Sequence, residues 1–280
     1  MDRGGNTLRD NISNKSPLRY PGGKTRACKK LEEILNEHFN IIDFENLVSP
    51  FFGGGSFEFY TQNTYKLNII ANDKFLPLFN FWKTCKSDKE NLILNLRQKI
   101  GNIDKDAFTD FRERIMSEDC VLDQSTMFFV INRCSFSGAT LSGGFSSESS
   151  QKRFTTSSID RIENLDLTYF DIYNHDFEDF ITNNRDNPRN LIFLDPPYYL
   201  EKGSKLYGNN GDMHESFDHQ KLYESLSSNQ NWLMTYNNCD YIRNLYKDFK
   251  IIETSWVYGM NKSKESSEIV IMSYPENRGE

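Results

Sequence analysis

The chain has 280 residues, and its 33 Lys and Arg against 40 Asp and Glu give a formal net charge of −7. Charged residues at 26 % and aromatic residues at 14 % are typical of a folded protein and exclude wholesale disorder. No apolar run approaches the ~20 residues of a membrane span, and the polar start holds no signal-peptide core, so we expect a cytoplasmic protein without a membrane partner.

Short apolar strands alternate with helical segments at both ends of the sequence, which indicates an α/β fold. Residues 1–16 are predicted to form a flexible tail, and apolar residues at helical spacing predict a helix over 24–39. Strands are predicted at 47–51 and 67–71, with a helix after each of them.

Between about residues 88 and 165 the pattern changes to helices alone, predicted at 88–100, 104–117 and 121–134. Ser and Gly dominate residues 135–151, a composition typical of a mobile loop. Five further strands are predicted at 168–173, 190–194, 231–236, 249–257 and 267–274. We therefore expect one α/β unit formed by 17–87 and 166–280, interrupted by a helical insertion at 88–165.

The strongest chemical signal is Asp195-Pro196-Pro197-Tyr198, directly after the predicted strand 190–194. Two prolines cannot continue a strand or a helix, so the chain leaves the sheet rigidly extended. The Asp195 carboxylate and the Pro196 carbonyl become two fixed acceptors, and Tyr198 offers a ring beside them. This set suits a planar group with an exocyclic NH₂, such as a nucleobase. An ordinary Asp-Pro turn with an exposed tyrosine is the alternative.

A second signal is the glycine turn Phe52-Gly53-Gly54-Gly55 between a strand and a helix, where a ligand can approach the backbone closely. Asp73 ends the next strand, near the ~20-residue spacing expected for an acid that binds ribose hydroxyls. The pattern is not the G-x-G-x-x-G fingerprint of dinucleotide-binding proteins. A nucleoside site is favoured over a plain tight turn.

The third signal is Tyr20-Pro21-Gly22-Gly23-Lys24-Thr25. A phosphate loop is excluded because position 18 is Leu18 where that loop needs glycine, and no apolar strand precedes it. Lys24 could pair with a ligand carboxylate and Tyr20 could cover an adenine ring; a surface lysine after a turn is the alternative. The five cysteines are scattered, and His214 and His219 lie five positions apart, so no metal site is expected.

These motifs, in this order, resemble the Dam-like DNA adenine-N6 methyltransferases of the D12 class, over residues 17–274. The resemblance implies a Rossmann-like, seven-stranded, mostly parallel core with an antiparallel last strand, and S-adenosylmethionine as the cofactor. It implies double-stranded DNA as the partner, allows a monomer, and allows a paired restriction endonuclease. It further implies cofactor contacts by the glycine turn and its flanks, which include Tyr20, Lys24, Phe52, Gly53, Gly55, Asp73, Asp176, Phe177 and Asp195.

The implied reaction is transfer of a methyl group to N6 of an adenine flipped out of the duplex. Tyr198 would stack on the base, while Asp195 and the Pro196 carbonyl would accept the two N6 hydrogens. Cytosine-N4 or RNA adenine methylation remains an alternative, because the motif recognises only an amino group on an aromatic ring. A catalytically silent DNA-binding relative is the alternative of another class.

The insertion carries Asn132-Arg133-Cys134-Ser135-Phe136-Ser137-Gly138, which resembles a segment that approaches DNA in this family. The resemblance implies that Arg133 contacts a phosphate or a guanine edge and that Phe136 wedges into the base stack. A core position is the alternative for Phe136. Lys152 and Arg153 follow the serine-rich loop and are expected to bind the DNA backbone. The insertion at 88–165 is therefore expected to be the target-recognition module.

Overall fold

The computed structural model describes residues 13–20, 23–199, 217–228, 231–257 and 265–273. Most of the tail predicted at 1–16 lies outside the described residues. So do Pro21, Gly22, His214 and the family matches at 202–207 and 262–264.

Seven strands form a single sheet, which confirms the strands predicted from the sequence. They are β1 (Asn46–Ser49), β2 (Asn68–Asn72), β3 (Phe170–Tyr173), β4 (Asn190–Leu194), β5 (Trp232–Asn237), β6 (Lys250–Val257) and β7 (Glu265–Met272). Their order is β3-β2-β1-β4-β5-β7-β6. The first five are parallel, and β7 is antiparallel to both of its neighbours. This strand order and these directions match the seven-stranded, mostly parallel sheet that the resemblance implied.

Helices cover both faces of the sheet. In the core they are α1 (Cys28–His38), α2 (Ser56–Tyr65), α3 (Leu76–Ser87), α9 (Phe177–Asn184), α10 (His219–Leu226) and α11 (Asp240–Leu245). The insertion contributes α4 (Lys89–Lys99), α5 (Lys105–Arg114), α6 (Val121–Cys134), α7 (Ser147–Arg153) and α8 (Thr156–Glu163). Among the described residues, no helix is both long and apolar enough to cross a membrane.

Successive strand residues alternate between two hydrophobic cores, because neighbouring side chains of a strand point to opposite faces. Leu191 and Phe193 of β4 belong to the core beneath α1, α2 and α3, whereas Ile192 and Leu194 belong to the core beneath α9, α10 and α11. The first of these faces is called the α1 face below. The central strands β1, β4 and β5 are almost entirely buried, as a parallel sheet covered on both faces requires.

The insertion shares its hydrophobic core with the α1 face. Phe81 of α3 packs its ring 5.6 Å from Phe128 and 5.6 Å from Phe129 of α6. Leu96 of α4 and Phe108 of α5 are buried in the same cluster. The insertion therefore packs as a continuation of the α/β core.

The serine-rich segment corrects one sequence prediction, since it is folded where we predicted a mobile loop. Ser135 and Phe145 form an antiparallel bridge, and short 3₁₀ turns occupy 136–138 and 140–142. Ser146 then caps α7 by accepting a hydrogen bond from the Ser149 N–H at 3.1 Å. Serine favours caps and turns as well as loops, so composition alone could not distinguish these structures.

Candidate active site

The site is centred on Asp195, which directly follows β4 at the carboxyl edge of the sheet. Asp195 continues the alternation of Leu191 and Phe193 and so belongs to the α1 face. Leu194 pairs with Met234 of β5, which places Thr235 level with Asp195. The buried Thr235 hydroxyl donates to Asp195 Oδ1 at 2.7 Å.

Lys24 reaches the same carboxylate from the turn that precedes α1. Its Nζ lies 2.9 Å from Asp195 Oδ1 and 4.0 Å from Glu268 Oε2 of β7, and it donates to Tyr198 Oη at 2.9 Å. The Lys24 side chain is only 3 % exposed, and a charge buried to this extent needs such acidic partners. The sequence predicted a ligand carboxylate as the partner of Lys24, whereas the structure pairs it with the carboxylate of Asp195.

The Tyr198 ring is held by aromatic neighbours. It stacks on Tyr236 of β5, with 5.8 Å between the ring centroids. Tyr236 Oη is in turn hydrogen-bonded to Nδ1 of the buried His219. Burial raises the pKa of Tyr236 well above its ordinary value and keeps the phenol neutral. Asn237 Nδ2 donates to the Tyr199 carbonyl at 2.9 Å, so β5 contacts the segment 195–199 at both of its ends.

The glycine turn lies beside this site, after β1. Gly53 and Gly55 have φ angles of 51° and 66°, in the left-handed region that favours glycine. A Cβ at Gly53 would also lie 3.0 Å from the Tyr20 ring, so the absence of a side chain lets Tyr20 approach the turn closely. Tyr20, Gly53 and Gly55 are thus brought together as predicted.

Asp73 joins this turn to the end of β2. Its Oδ2 accepts the Gly53 N–H at 2.9 Å, and its Oδ1 accepts the Phe75 N–H at 2.9 Å. Burial raises the pKa of Asp73 to about 6, although both backbone hydrogen bonds act to lower it. The carboxylate lies where the sequence placed a ribose-binding acid. Each of its oxygens keeps a second lone pair for a hydroxyl.

Asp176 and Phe177 lie next to Asp73, at the end of β3. The Asn174 amide donates to the Asp73 carbonyl at 2.7 Å, and Asp176 caps α9. The half-buried Phe177 ring packs 5.7 Å from Phe51. The site thus combines the glycine turn, the Tyr20 ring over it, the Asp73 carboxylate and the Phe177 ring. This combination fits a nucleoside cofactor.

Phe52 lies beneath the glycine turn. Its side chain is buried among the rings of Phe59, Trp82 and Phe170, at centroid distances of 6.0, 5.2 and 5.8 Å. A Cβ at Gly55 would lie 2.5 Å from the Phe52 ring, so the ring packs directly against the turn. The Phe52 ring belongs to the hydrophobic core, and the cofactor contact predicted for this residue stays a prediction.

A buried carboxyl group lies beneath the site. Glu58 of α2 is 3 % exposed, and its Oε1 accepts the Ser49 hydroxyl at 2.6 Å. Burial raises its pKa to about 7, the Ser49 hydrogen bond lowers it, and the nearby Asp195 charge adds to the increase. No motif in the sequence marked Glu58.

The insertion binds the segment 17–20, which ends at Tyr20. Asn132 Oδ1 accepts the Arg19 N–H at 2.9 Å, and Asn132 Nδ2 donates to the Arg19 carbonyl at 2.7 Å. Gly138 packs beneath Arg19 so closely that a Cβ there would lie 2.7 Å from Arg19 Cβ. Residues 17–20 are therefore held on α6 and the turn after it, and we call these contacts the insertion clamp.

Arg133 also belongs to this clamp, and its side chain is buried. Its Nε donates to the Arg153 carbonyl at 2.7 Å, and its Nη1 donates to the Pro17 carbonyl at 3.2 Å. Burial, with the nearby charges of Arg161, Arg19 and Arg153, lowers the pKa of Arg133 to about 10. The Arg133 guanidinium thus donates to two backbone carbonyls inside the protein. The DNA contact predicted for Arg133 stays a prediction.

The other predicted DNA contacts lie on the surface of the insertion. The Phe136 side chain is 70 % exposed, which excludes the core position considered as its alternative. Lys152 is exposed and forms an ion pair with Glu148 at 3.0 Å, one turn earlier on α7. Arg153 is exposed at the end of the same helix.

Glu58 and Glu268 carried no signal in the sequence, and the sequence predicted no role in the site for Thr235 or His219. They come from separate elements and meet the motifs only through strand register and helix packing. The sequence could have singled out Thr235 as a polar residue within an apolar strand, but not its partner.

Comparisons with known proteins agree with this geometry. The family model described as D12 class N6 adenine-specific DNA methyltransferase matches residues 20–260. The chain is 25 % identical to the Type II methyltransferase M.MjaIII of Methanocaldococcus jannaschii, across 84 % of this chain and 88 % of that protein. It is 23 % identical to the Type II methyltransferase M.CviBI of Paramecium bursaria Chlorella virus NC1A, across 83 % of this chain and 86 % of that protein.

Proposed function

The chain belongs to the D12 class of N6 adenine-specific DNA methyltransferases, and from this premise we propose that it methylates N6 of adenine within one specific DNA sequence. It is an S-adenosylmethionine-dependent DNA methyltransferase, as its family requires. The observation that carries the proposal is the position of Asp195-Pro196-Pro197-Tyr198 at the carboxyl end of β4, beside the glycine turn.

The residues of this chain would act first by holding the base. A target adenine must leave the duplex, because its N6 atom cannot be reached within the stack. The Tyr198 ring, fixed against Tyr236, would stack on the extruded base. The Asp195 carboxylate and the Pro196 carbonyl would then accept the two N6 hydrogens.

These two acceptors direct the nitrogen lone pair away from the ring and stabilise the positive charge that develops on N6. S-adenosylmethionine, when bound, supplies the methyl group from its sulfonium. The residues of the chain would hold N6 for that transfer without forming a covalent bond to the base, and the surplus proton on N6 would pass to solvent. The contribution of the protein is positioning together with electrostatic stabilisation.

The cofactor would be held by the glycine turn and its neighbours. Asp73 would accept hydrogen bonds from the ribose hydroxyls through its remaining lone pairs. The rings of Tyr20 and Phe177 would contact the adenine of the cofactor, and Asp176 would lie beside it. Gly53 and Gly55 would allow close approach of the ligand to the backbone.

The insertion at 88–165 would recognise the target sequence. Its exposed Phe136 would enter the base stack where the adenine leaves, and Lys152 and Arg153 would bind phosphates. The two relatives named above are Type II methyltransferases. We extend that name to the present chain and propose that it protects DNA from a partner restriction endonuclease.

Single-molecule sequencing shows in one experiment which base is methylated, at which atom and in which DNA motif. Plasmid DNA is isolated from a host that lacks adenine methylation and expresses either the wild-type chain or Asp195→Ala. N6-methyladenine at a single motif, present with the wild-type chain and absent with the variant, is the expected result. Methylation of cytosine N4, or no methylated DNA from a folded wild-type protein, would contradict the proposal.

A further inference from the structure

The Asp195 carboxylate is held at one of its two oxygens. Thr235 Oγ1 donates to Oδ1 at 2.7 Å, and Lys24 Nζ lies 2.9 Å from the same atom. Oδ2 accepts no hydrogen bond from any residue that the structure describes. The hydrogen bond from Thr235 and the ion pair with Lys24 therefore both fall on Oδ1.

The two donors approach Asp195 from different elements. Thr235 lies on β5 at the register position next to Asp195, while Lys24 precedes α1. Lys24 supplies a positive charge on a long, flexible side chain. Thr235 is β-branched, fully buried and fixed by the strand, so its hydroxyl has a defined direction.

Packing alone does not require a threonine at this position. Valine has nearly the same shape, is favoured in strands and would fill the same space without burying a polar group. Leu233, on the same face of β5 as Thr235, and Met234, on the opposite face, are fully buried and apolar. Packing therefore does not explain the hydroxyl of Thr235. Among the described residues, this hydroxyl forms its hydrogen bond with Asp195.

We propose that Thr235 is a positioning residue for methyl transfer, a role that deepens the function proposed above and rests on it. By binding Oδ1, Thr235 prevents rotation of the carboxylate and presents Oδ2 to an amino hydrogen of the target base. Lys24 neutralises the Asp195 charge, and Thr235 determines which oxygen faces the base. Rotation of the carboxylate would leave that hydrogen bond bent and weak.

The test compares Thr235→Val, Thr235→Ser and the wild-type enzyme on DNA that carries the methylated motif. Steady-state assays give kcat and the KM for S-adenosylmethionine, and calorimetry gives the cofactor Kd without DNA. Thr84→Val is the matched control, because Thr84 is also buried and hydrogen-bonded but lies on α3, within the helical core. Thermal unfolding of all four proteins shows whether the variants fold.

We expect Thr235→Val to lower kcat by on the order of 10- to 100-fold while KM and Kd for the cofactor stay near the wild-type values. Thr235→Ser, which keeps the hydroxyl, should recover most of the lost rate, and Thr84→Val should retain wild-type kcat. Wild-type kcat in Thr235→Val, or failure of a folded Thr235→Ser to exceed Thr235→Val, would overturn the inference. An inactive wild-type enzyme would instead contradict the proposed function.

Discussion

Lys24 and Asp195 are 171 positions apart in the sequence, yet Lys24 Nζ lies 2.9 Å from Asp195 Oδ1. The pair joins the first motif of the chain to the last. It also places a cation beside the carboxylate that would accept an amino hydrogen of the base. Glu268, 4.0 Å from the same Nζ, completes a cluster of two acids and one base in which Lys24 and Glu268 are buried and Asp195 is partly exposed.

Replacement of Lys24 by Met should separate two possible roles of this side chain. If Lys24 serves Asp195, kcat should fall by on the order of 10²-fold at saturating cofactor, because an electrostatic partner of the catalytic carboxylate is lost. Calorimetry with S-adenosylmethionine should show a much smaller change in Kd. Loss of cofactor binding with unchanged kcat would instead support the ligand-carboxylate contact predicted from the sequence.

Asp73 should control cofactor affinity and its dependence on pH. Asp73→Ala removes the acceptor for the ribose hydroxyls and should weaken binding by about 1–3 kcal/mol, or roughly 5- to 150-fold in Kd. Because the pKa of Asp73 is raised to about 6, the wild-type carboxylate becomes protonated as the pH falls through that value, and Kd should rise. Asp73→Asn cannot ionise, so its Kd should stay flat between pH 5 and 8 in calorimetry. A wild-type Kd equally flat across that range would count against the contact.

Phe136 should assist extrusion of the target base. Phe136→Ala loses the apolar wedge and should lower kcat/KM on the order of 10-fold, since unstacking a base costs a few kcal/mol. Fluorescence of 2-aminopurine at the target position should rise less on binding of the variant than on binding of the wild-type enzyme. Ile42→Ala is the control, because Ile42 is also highly exposed, at 77 %, but lies outside the insertion. Equal fluorescence from both variants would argue against the wedge.

Lys152 and Arg153 should supply non-specific affinity to a chain whose net charge is −7. Each phosphate contact adds close to one unit to the slope of log K against log salt. The double variant Lys152→Ala/Arg153→Ala should therefore weaken cognate and scrambled duplexes alike and reduce that slope by up to ~2 in fluorescence anisotropy. Lys247→Ala, in the turn between α11 and β6, should leave the slope unchanged. An unchanged slope in the double variant would remove α7 from the interface.

Glu58 should make the protein less stable as the pH rises. Its pKa is raised to about 7 in the folded state against 4.5 ordinarily, so folded molecules bind more protons than unfolded ones between these values. The sign of the linkage then makes the free energy of unfolding fall across pH 4.5–7, by at most about 3 kcal/mol. Urea unfolding at several pH values should show a steeper fall in the wild-type protein than in Glu58→Gln, because the raised pKa of Asp73 contributes a fall of its own to both proteins. If the free energy of unfolding depended on pH equally in both proteins, burial would not raise the pKa of Glu58.

The sequence predicted the seven strands and the insertion because strand runs and helical spacing are local properties. It also predicted Asp195 and Tyr198 at a strand end, since two prolines fix the chain locally. It could not predict the burial of Arg133 or of Phe52, because orientation depends on what packs around a residue. The same holds for Lys24, whose partner follows from the packing of the N-terminal segment against β4.

The insertion clamp has a consequence for chimaeric enzymes. Asn132 and Arg133 bind the backbone of residues 17–19, one residue before the ring of Tyr20 that covers the glycine turn. A cassette cut at 88 and 165 and transplanted into another scaffold would carry Asn132 and Arg133 with it but leave behind their partners, the backbone of residues 17–19. An exchange that keeps the hybrid folded and able to bind cofactor must therefore carry the N-terminal segment 13–20 along with the insertion.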